Sequence, residues 1–156
     1  MVQIRRFESK DADEVKRLIN EIMNLEFLED RPAFSFEDLD NLRDAYSQLG
    51  EAFFIAEDGK KIIGTVGVKR EDDRIALIRR IFVSPAYRNK RIGLQLLNRA
   101  IEFCQEVGYQ ELIFQTTSRM ADAIKLMRKR GFQSRAKVPL GSVELLKLSL
   151  SIKDKK

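Results

Sequence analysis

The chain has 156 residues, of which 44% are hydrophobic and 34% are charged, and its net charge is +5 at pH 7. This length predicts one domain that can bury a core, and the composition is typical of a soluble globular protein. The lack of histidine excludes His-dependent catalytic triads and imidazole metal sites, and a single cysteine excludes an internal disulfide and a cysteine metal cluster.

Features of the whole chain also bear on its location. No apolar run approaches the ~20 residues that a membrane span needs, and residues 1–6 lack the apolar segment of a signal peptide. With no disulfide to form, these features predict a protein of the reducing cytoplasm with no membrane partner. The positive charge suits an anionic partner, but it does not choose between a nucleotide and a nucleic acid.

A strand and a helix are predicted first. Polar and apolar residues alternate over residues 3–7, which predicts a short strand. Ser9 or Asp11 can cap the helix that follows. The apolar face of this helix consists of Val15, Leu18, Ile19 and Ile22. The pattern breaks over residues 24–34, where Arg31-Pro32 indicates a turn.

A second helix and a hairpin follow. Ser35-Phe36-Glu37-Asp38 resembles a capping box, which predicts a helix whose apolar face runs from Leu39 to Leu49 and which ends at Gly50. Residues 52–57 and 61–69 are predicted strands, because the Asp58-Gly59 pair between them is a strong hairpin signal.

Residues 75–99 are the most informative stretch. The apolar run 75–83 predicts a strand, and the basic turn Arg88-Asn89-Lys90-Arg91 leads to Gly93 and a helix that Gly108 ends. Backbone N–H groups at the start of a helix have no intrahelical partner, and the helix dipole adds positive charge there. Residues 88–93 therefore predict a phosphate-binding loop, in which glycine lets a ligand approach the backbone.

The last third of the chain continues the alternation of strands and helices. A strand is predicted over residues 111–116, a helix over about 120–130, and two strands near 133–138 and 142–150 around a Pro139-Leu140-Gly141 turn. The basic tail, residues 153–156, is expected to fray. These elements predict one α/β domain with a mixed central sheet.

Residues 75–99 resemble a known motif. Motif A of the GNAT superfamily of acyl-CoA N-acyltransferases has Arg/Gln-x-x-Gly-x-Gly/Ala after a strand that ends Val-x-Pro. Here Val83-Ser84-Pro85 is followed by Arg88 and Ile92-Gly93, although Arg91 stands where the family usually has its first glycine. Residues 123–132, AIKLMRKRGF, are similar to a second family landmark, Ala-Ile-x-Leu-Tyr-x-Lys-x-Gly-Phe.

The resemblance covers nearly the whole chain and implies a single GNAT-like domain over residues 1–156. In that fold, helices flank a mixed sheet whose two central strands splay apart. The resemblance implies an N-acetyltransferase that moves an acetyl group from acetyl-CoA, its co-substrate, to an amine by direct attack in a ternary complex, without a metal. The residues it implies for cofactor binding are Ile81, Phe82, Val83, Arg88, Asn89, Lys90, Arg91, Ile92, Gly93 and Leu94.

The chain departs from the family at its proton-transfer positions. A tyrosine that often serves as general acid is Met127 here, a glutamate that often serves as base is Leu77, and a frequent asparagine is Met120. The catalytic residues are therefore unknown from the sequence. Three hydroxyl residues at the exit of the second splayed strand could organise water and are the candidates: Thr116, Thr117 and Ser118.

The acceptor is expected to be a small amine, an amino acid or a peptide. The acids Glu21, Glu26, Glu29 and Asp30 border the first helix and the following loop, where family members recognise acceptors. They would bind a cationic acceptor or form a solvated charged face, and we choose Glu26 and Glu29 as the candidates. Arg79 and Arg80 are expected to point to opposite faces of their strand, so that one, for which we choose Arg80, faces the cleft. There it would either bind an acceptor carboxylate or form an ion pair. The sequence leaves a homodimer open.

Two other function classes remain. A non-catalytic acyl-CoA-binding or regulatory module would keep the phosphate loop but lack an acid and a base, as this chain does. A nucleic-acid-binding domain would use the basic charge, but acidic residues are interspersed throughout and no stacking surface of aromatic and basic residues is evident.

Overall fold

A mixed seven-stranded sheet organises the computed structural model, which describes residues 1–152. The strands are β1 (Val2–Arg6), β2 (Ala52–Asp58), β3 (Lys61–Arg70), β4 (Ile75–Val83), β5 (Glu111–Thr117), β6 (Gln133–Leu140) and β7 (Val143–Ser151). Their order is β1-β2-β3-β4-β5-β7-β6, and β4 with β5 is the parallel pair among antiparallel neighbours. The predicted mixed central sheet is confirmed.

Helices cover both faces of the sheet. The α-helices are α1 (Ala12–Glu26), α2 (Leu42–Ala45), α3 (Ile92–Val107) and α4 (Ala121–Lys129), and the 3₁₀ segments are Ser9–Asp11, Leu28–Ala33, Glu37–Asp40 and Pro85–Tyr87. Side chains of a strand alternate between faces, so Phe53 and Ile55 pack with α1 and α2, whereas Phe54 packs with α3. No helix within residues 1–152 is long and apolar enough to cross a membrane.

The parallel pair opens into the expected gap. Strands β4 and β5 pair only over Ile75–Ile78 and Glu111–Phe114, and beyond that point they diverge. A β-bulge accompanies the divergence, because Thr65 of β3 pairs with Phe82 while Gly67 pairs with Arg79. The bulge therefore places one extra residue in β4. Arg80 accommodates it with a left-handed backbone, φ 53°, and the Thr65 hydroxyl donates to its carbonyl at 2.6 Å.

Two predicted elements were wrong in detail. The helix expected to run from Ser35 to Leu49 is a 3₁₀ turn and the single-turn α2, and Leu49 is 94% exposed. The predicted capping box does not form, because Asp38 makes hydrogen bonds to Tyr46 and Arg80 instead. The last turn lies at Gly141-Ser142, because β6 continues through Pro139, which an edge strand tolerates. The predicted frayed tail, residues 153–156, lies outside the described residues.

The single cysteine belongs to the core. Cys104 is fully buried on the inner face of α3, and burial raises the pKa of its thiol to about 12. A thiol held in this protonated state is a poor nucleophile. The side chain therefore packs as a small apolar group rather than carrying a reacting group.

Candidate active site

The loop between β4 and α3 presents free backbone donors. Asn89 and Arg91 have left-handed backbones, φ 64° and 63°, which turn the chain sharply into α3. The first intrahelical bond of α3 runs from the Gln95 N–H to the Arg91 carbonyl, 3.1 Å. The N–H groups of Ile92, Gly93 and Leu94 therefore precede the hydrogen-bond ladder of the helix. With the helix dipole, they form a cradle for an anion.

Arg91 fills a position whose backbone suits glycine. Its left-handed φ is the conformation that a family glycine would adopt freely. Its side chain is exposed. We expect Arg91→Gly to remain folded and to bind acetyl-CoA within a few-fold of the parent, because the backbone N–H groups stay in place. Calorimetric titration measures this. A collapse of affinity would show that the guanidinium itself is a main anchor.

Gly93 keeps the floor of the loop open. A Cβ built at this position would lie 3.3 Å from Leu126 Cδ2 of α4 and 3.7 Å from Val83 Cγ2 of β4. Both neighbours are partly buried side chains at the edge of the core. The glycine thus preserves a narrow space where the end of β4, α3 and α4 meet.

Arg88 links the loop between β4 and α3 to the C-terminal end of α1. Its Nη1 and Nη2 donate to Glu26 Oε1 and Oε2 at 2.5 and 2.8 Å, and its Nε donates to the Val83 carbonyl at 3.2 Å. Glu26 is the last residue of α1. A predicted cofactor residue and a predicted acceptor residue are therefore in direct contact.

A cavity of about 350 Å³ occupies the gap between β4 and β5. Its walls come from residues 77–82 of β4, residues 113–116 of β5, the segment 33–35 and the start of α4. Ile81 and Phe82, two of the residues predicted to bind the cofactor, line it, and so does Arg80. The apolar replacements Leu77 and Met120 line it as well, whereas Met127 is fully buried in the core.

The bulge in β4 changes the direction of one arginine. Ile78, before the bulge, packs on the α3 side, and so does Ile81 after it, while Phe82 packs on the α1 side. Simple alternation would place Arg79 and Arg80 on opposite faces, as we expected. Arg80 instead binds the segment 35–38 on the α1 side, and the charge of Arg79 acts on the same Asp38. The expectation of opposite faces was wrong because the extra residue breaks the alternation.

Arg80 is held in a buried network. Its Nε and Nη2 donate to Asp38 Oδ2 and Oδ1 at 2.9 and 2.7 Å, and Nη2 also donates to the Ser35 carbonyl. The Tyr46 hydroxyl donates to Asp38 Oδ2 at 2.7 Å. Burial alone would raise the pKa of Asp38, but the hydrogen bonds and charge of Arg80 outweigh it and lower that pKa. Burial and the neighbouring carboxylate raise the pKa of Tyr46.

The three hydroxyl candidates lie in different environments. Thr116 lines the cavity, and its Oγ1 lies 3.1 Å from Met120 Sδ. Thr117 is fully buried and donates to Asp30 Oδ2. Ser118 is exposed, and its Oγ accepts the Glu144 N–H at 3.2 Å. Thr116 is thus the one of the three that faces the gap.

Asp30 is one of the acidic residues that border α1 and the following loop, but it was not among the predicted site residues. Its carboxylate is fully buried, and Oδ1 has no hydrogen-bond partner among the described residues, although Arg119 Nε lies 3.3 Å away. Arg119 also pairs with the exposed Glu29 at 2.7 Å. Both predicted acceptor-side glutamates therefore contact arginines. No pattern in residues 24–34 distinguishes Asp30 from its neighbours.

Comparison with known proteins gives a consistent result. The sequence profile of the Acetyltransferase (GNAT) family matches residues 19–132. The uncharacterized N-acetyltransferase YjgM of Escherichia coli is 26% identical over 135 residues, which cover 83% of this chain and 81% of that protein. Human N-acetyltransferase 8 is 28% identical over 102 residues, which are 62% of this chain and 45% of that protein. The match thus spans less than half of the human relative.

Solved structures share the fold. A GNAT-family acetyltransferase from Staphylococcus aureus superimposes with a TM-score of 0.84 at 24% identity, covering 98% of this chain and 100% of that one. A protein from Salmonella typhimurium, solved with its cofactor acetyl-CoA, superimposes with a TM-score of 0.79 at 21% identity, covering 99% and 95%. At these identities the superpositions establish the fold.

Proposed function

Because the chain belongs to the GNAT family of acetyltransferases, we propose that it transfers the acetyl group of acetyl-CoA to the nitrogen of a small amine, amino acid or peptide. The observation that carries this proposal is the opening of β4 from β5 after Ile78, next to the free N–H groups that begin α3. Such a gap accepts an extended ligand between the strands while its phosphates meet the helix N-terminus.

The cofactor would lie along the loop and the free edge of β4. Backbone N–H groups of residues 89–94 would receive the pyrophosphate, with positive charge from Lys90 and Arg91 nearby. The edge of β4 that faces the gap does not pair with β5 beyond Ile78. Residues 81–83 would therefore hydrogen-bond the amide-bearing pantetheine arm as an added strand does.

The chemistry would be a direct transfer. The acceptor nitrogen attacks the thioester carbonyl carbon, a β4 backbone N–H stabilises the oxyanion, the nitrogen loses a proton, and the C–S bond breaks to release the CoA thiolate. Cys104 is buried in the core and cannot carry the acetyl group. Arg79 and Arg80 are the charged side chains among the described residues that line the cavity. Water is therefore the proposed first proton acceptor.

The leaving thiolate lacks a side-chain acid. A CoA thiol resembles a free cysteine, with a pKa near ~8.5, so it leaves without full protonation. Met127 lies one turn of α4 after Ala123, which lines the cavity, and a tyrosine side chain is longer than the methionine that it would replace. We therefore expect Met127→Tyr to turn over faster than Met127→Phe, by on the order of 10²-fold, because its hydroxyl donates to the sulfur. Steady-state kinetics on the same acceptor measure the ratio. The phenylalanine variant controls for the added ring in the core, and equal rates would contradict the need for a donor.

The proposal is tested by following free thiol while amines, amino acids and peptides are offered with acetyl-CoA. We expect acceptor-dependent thiol release. An acyl-CoA-binding module would bind acetyl-CoA but release no thiol with any acceptor. A nucleic-acid-binding domain would bind DNA with a steep salt dependence and would not bind acetyl-CoA.

We also propose a cytoplasmic location. The single cysteine is buried and cannot form an internal disulfide within the described chain. Such a protein suits a reducing compartment. There the protein would encounter acetyl-CoA and amine metabolites as soluble ligands.

A further inference from the structure

We propose that Arg79 binds a carboxylate of the acceptor, so that the acceptor is an amine that carries an acid group, such as an amino acid. This inference rests on the proposed acetyl transfer and adds the chemical class of the acceptor. It assigns to Arg79 the role that the sequence analysis gave to Arg80.

The charge of the cavity wall favours an anionic group. Arg79 and Arg80 line the cavity, and no carboxylate is among the lining residues of the described chain. The acids on this side are committed to other partners, with Asp38 bound to Arg80 and Glu26 bound to Arg88. A polyamine would therefore meet the guanidinium of Arg79, which no carboxylate of the cavity wall neutralises, whereas Asp38 already neutralises Arg80.

Arg80 is not available for a ligand. Its guanidinium is buried, forks onto both Asp38 oxygens, and bonds the Ser35 carbonyl. The ring of Phe36 lies 4.8 Å from it and covers one face. Withdrawing Arg80 toward an acceptor would leave the buried Asp38 charge uncompensated.

Arg79 differs from Arg80 in this respect. The ion pairs on this side of the cleft use Arg80, Arg88 and Arg119, and within residues 1–152 Arg79 forms neither an ion pair nor a side-chain hydrogen bond. It is partly buried and lines the cavity. A guanidinium binds a carboxylate through two parallel hydrogen bonds, so an acid group in the cavity would satisfy it.

The position along β4 fits one small molecule. Arg79 lies two residues before Ile81, less than about 7 Å along the strand because the bulge at Arg80 shortens the regular rise, and the proposed thioester lies against residues 81–83. The bulge brings Arg79 and Arg80 to the same side, so Asp38 neutralises one charge and leaves the other for a ligand. A carboxylate on Arg79 and an amine in the gap can thus belong to one amino acid.

The experiment compares acceptors that differ only in the acid group. A panel of amino acids, the matched amino acid amides and aliphatic diamines is assayed for thiol release with the wild type, Arg79→Gln, Arg79→Lys and Arg17→Gln. Arg17 is an exposed arginine of α1, so its variant controls for the change in net charge. We expect the wild type to prefer an acid over its amide.

Arg79→Gln should raise the KM for that acid by on the order of ten- to a hundred-fold, because a charge-assisted hydrogen bond is lost. The KM for acetyl-CoA should change by less than about two-fold, since no cofactor contact is removed. The lysine variant should recover part of the preference as a point charge. The Arg17 variant should behave as the wild type.

The proposed function and this inference fail in different ways. Acetylation of amides or diamines at least as well as acids, or an acid-to-amide preference unchanged in Arg79→Gln, would overturn the Arg79 assignment while the transferase stands. If no member of the panel is acetylated, calorimetry of N-acetyl amino acids with the CoA complex decides. Binding that Arg79→Gln abolishes supports the site, and no binding overturns it.

Discussion

Replacing Asp38 with alanine is expected to lower the free energy of unfolding by about 3–5 kcal/mol, the usual cost of removing one partner of a buried ion pair. The side chains of Asp38 and Arg80 are 8% and 5% exposed. The change leaves the guanidinium buried without its carboxylate and removes the acceptor of the Tyr46 hydroxyl. Chemical denaturation monitored by circular dichroism measures the loss.

Asp40→Ala is the matched control. Asp40 belongs to the same 3₁₀ turn and pairs with Lys16 at 2.7 Å, but both side chains are exposed. Exposed pairs contribute less than about 1 kcal/mol. If the two alanine variants lowered the free energy of unfolding equally, the buried network of Asp38 and Arg80 would not be what holds the segment 35–46 against β4.

The contribution of Asp38 should also depend on pH. Because its pKa in the folded protein is lowered, the ionised carboxylate contributes stability above the pKa of the unfolded state, about 3.9. That contribution is lost as the pH falls through the folded pKa. The stability difference between the wild type and Asp38→Asn should therefore be full near neutral pH and shrink below about pH 4.

Gly93→Val is expected to weaken acetyl-CoA binding by ten-fold or more, about 1.4 kcal/mol. The valine side chain would enter the narrow space between Val83 and Leu126, where a Cβ alone is already 3.3 Å from the leucine methyl carbon. This is where the pantetheine arm would leave the phosphate loop. Calorimetric titration measures the affinity, and thermal unfolding shows whether the variant is folded.

A second substitution separates binding from packing. Leu126→Ala removes the side chain that the valine would press against, so the double variant relieves strain inside the protein. We expect it to regain thermal stability while acetyl-CoA affinity stays low. Recovery of affinity in the double variant would show that Gly93 serves helix packing rather than the ligand.

The part of the site that arises from local sequence could be predicted. The strand 75–83 was predicted with the bounds that the structure has, and the start of α3 follows from a basic turn and a glycine. The gap between β4 and β5 followed from resemblance to a family. A phosphate loop is encoded in consecutive residues, because its donors are backbone groups whose direction depends on local dihedral angles.

The acceptor side could not be predicted in the same way. The bulge at Arg80 depends on pairing with β3, and it turns Arg80 to the same side of the sheet as Arg79. Asp38 meets a partner 42 residues away, and Asp30 meets one 87 residues away. Such contacts leave no periodic pattern in a segment of short 3₁₀ turns, so polarity alone could not show which carboxylates and guanidinium groups meet.

On the proposed mechanism, an acetyl group passes directly from CoA to an amine in the gap between β4 and β5. The most direct measurement mixes the protein with acetyl-CoA and the amino acid panel, then quantifies free CoA thiol, N-acetylated product and protein mass in the same samples. We predict equal molar amounts of thiol and product with an unchanged protein mass. Acetylated protein, thiol without product, or bound acetyl-CoA with neither thiol nor product would contradict it.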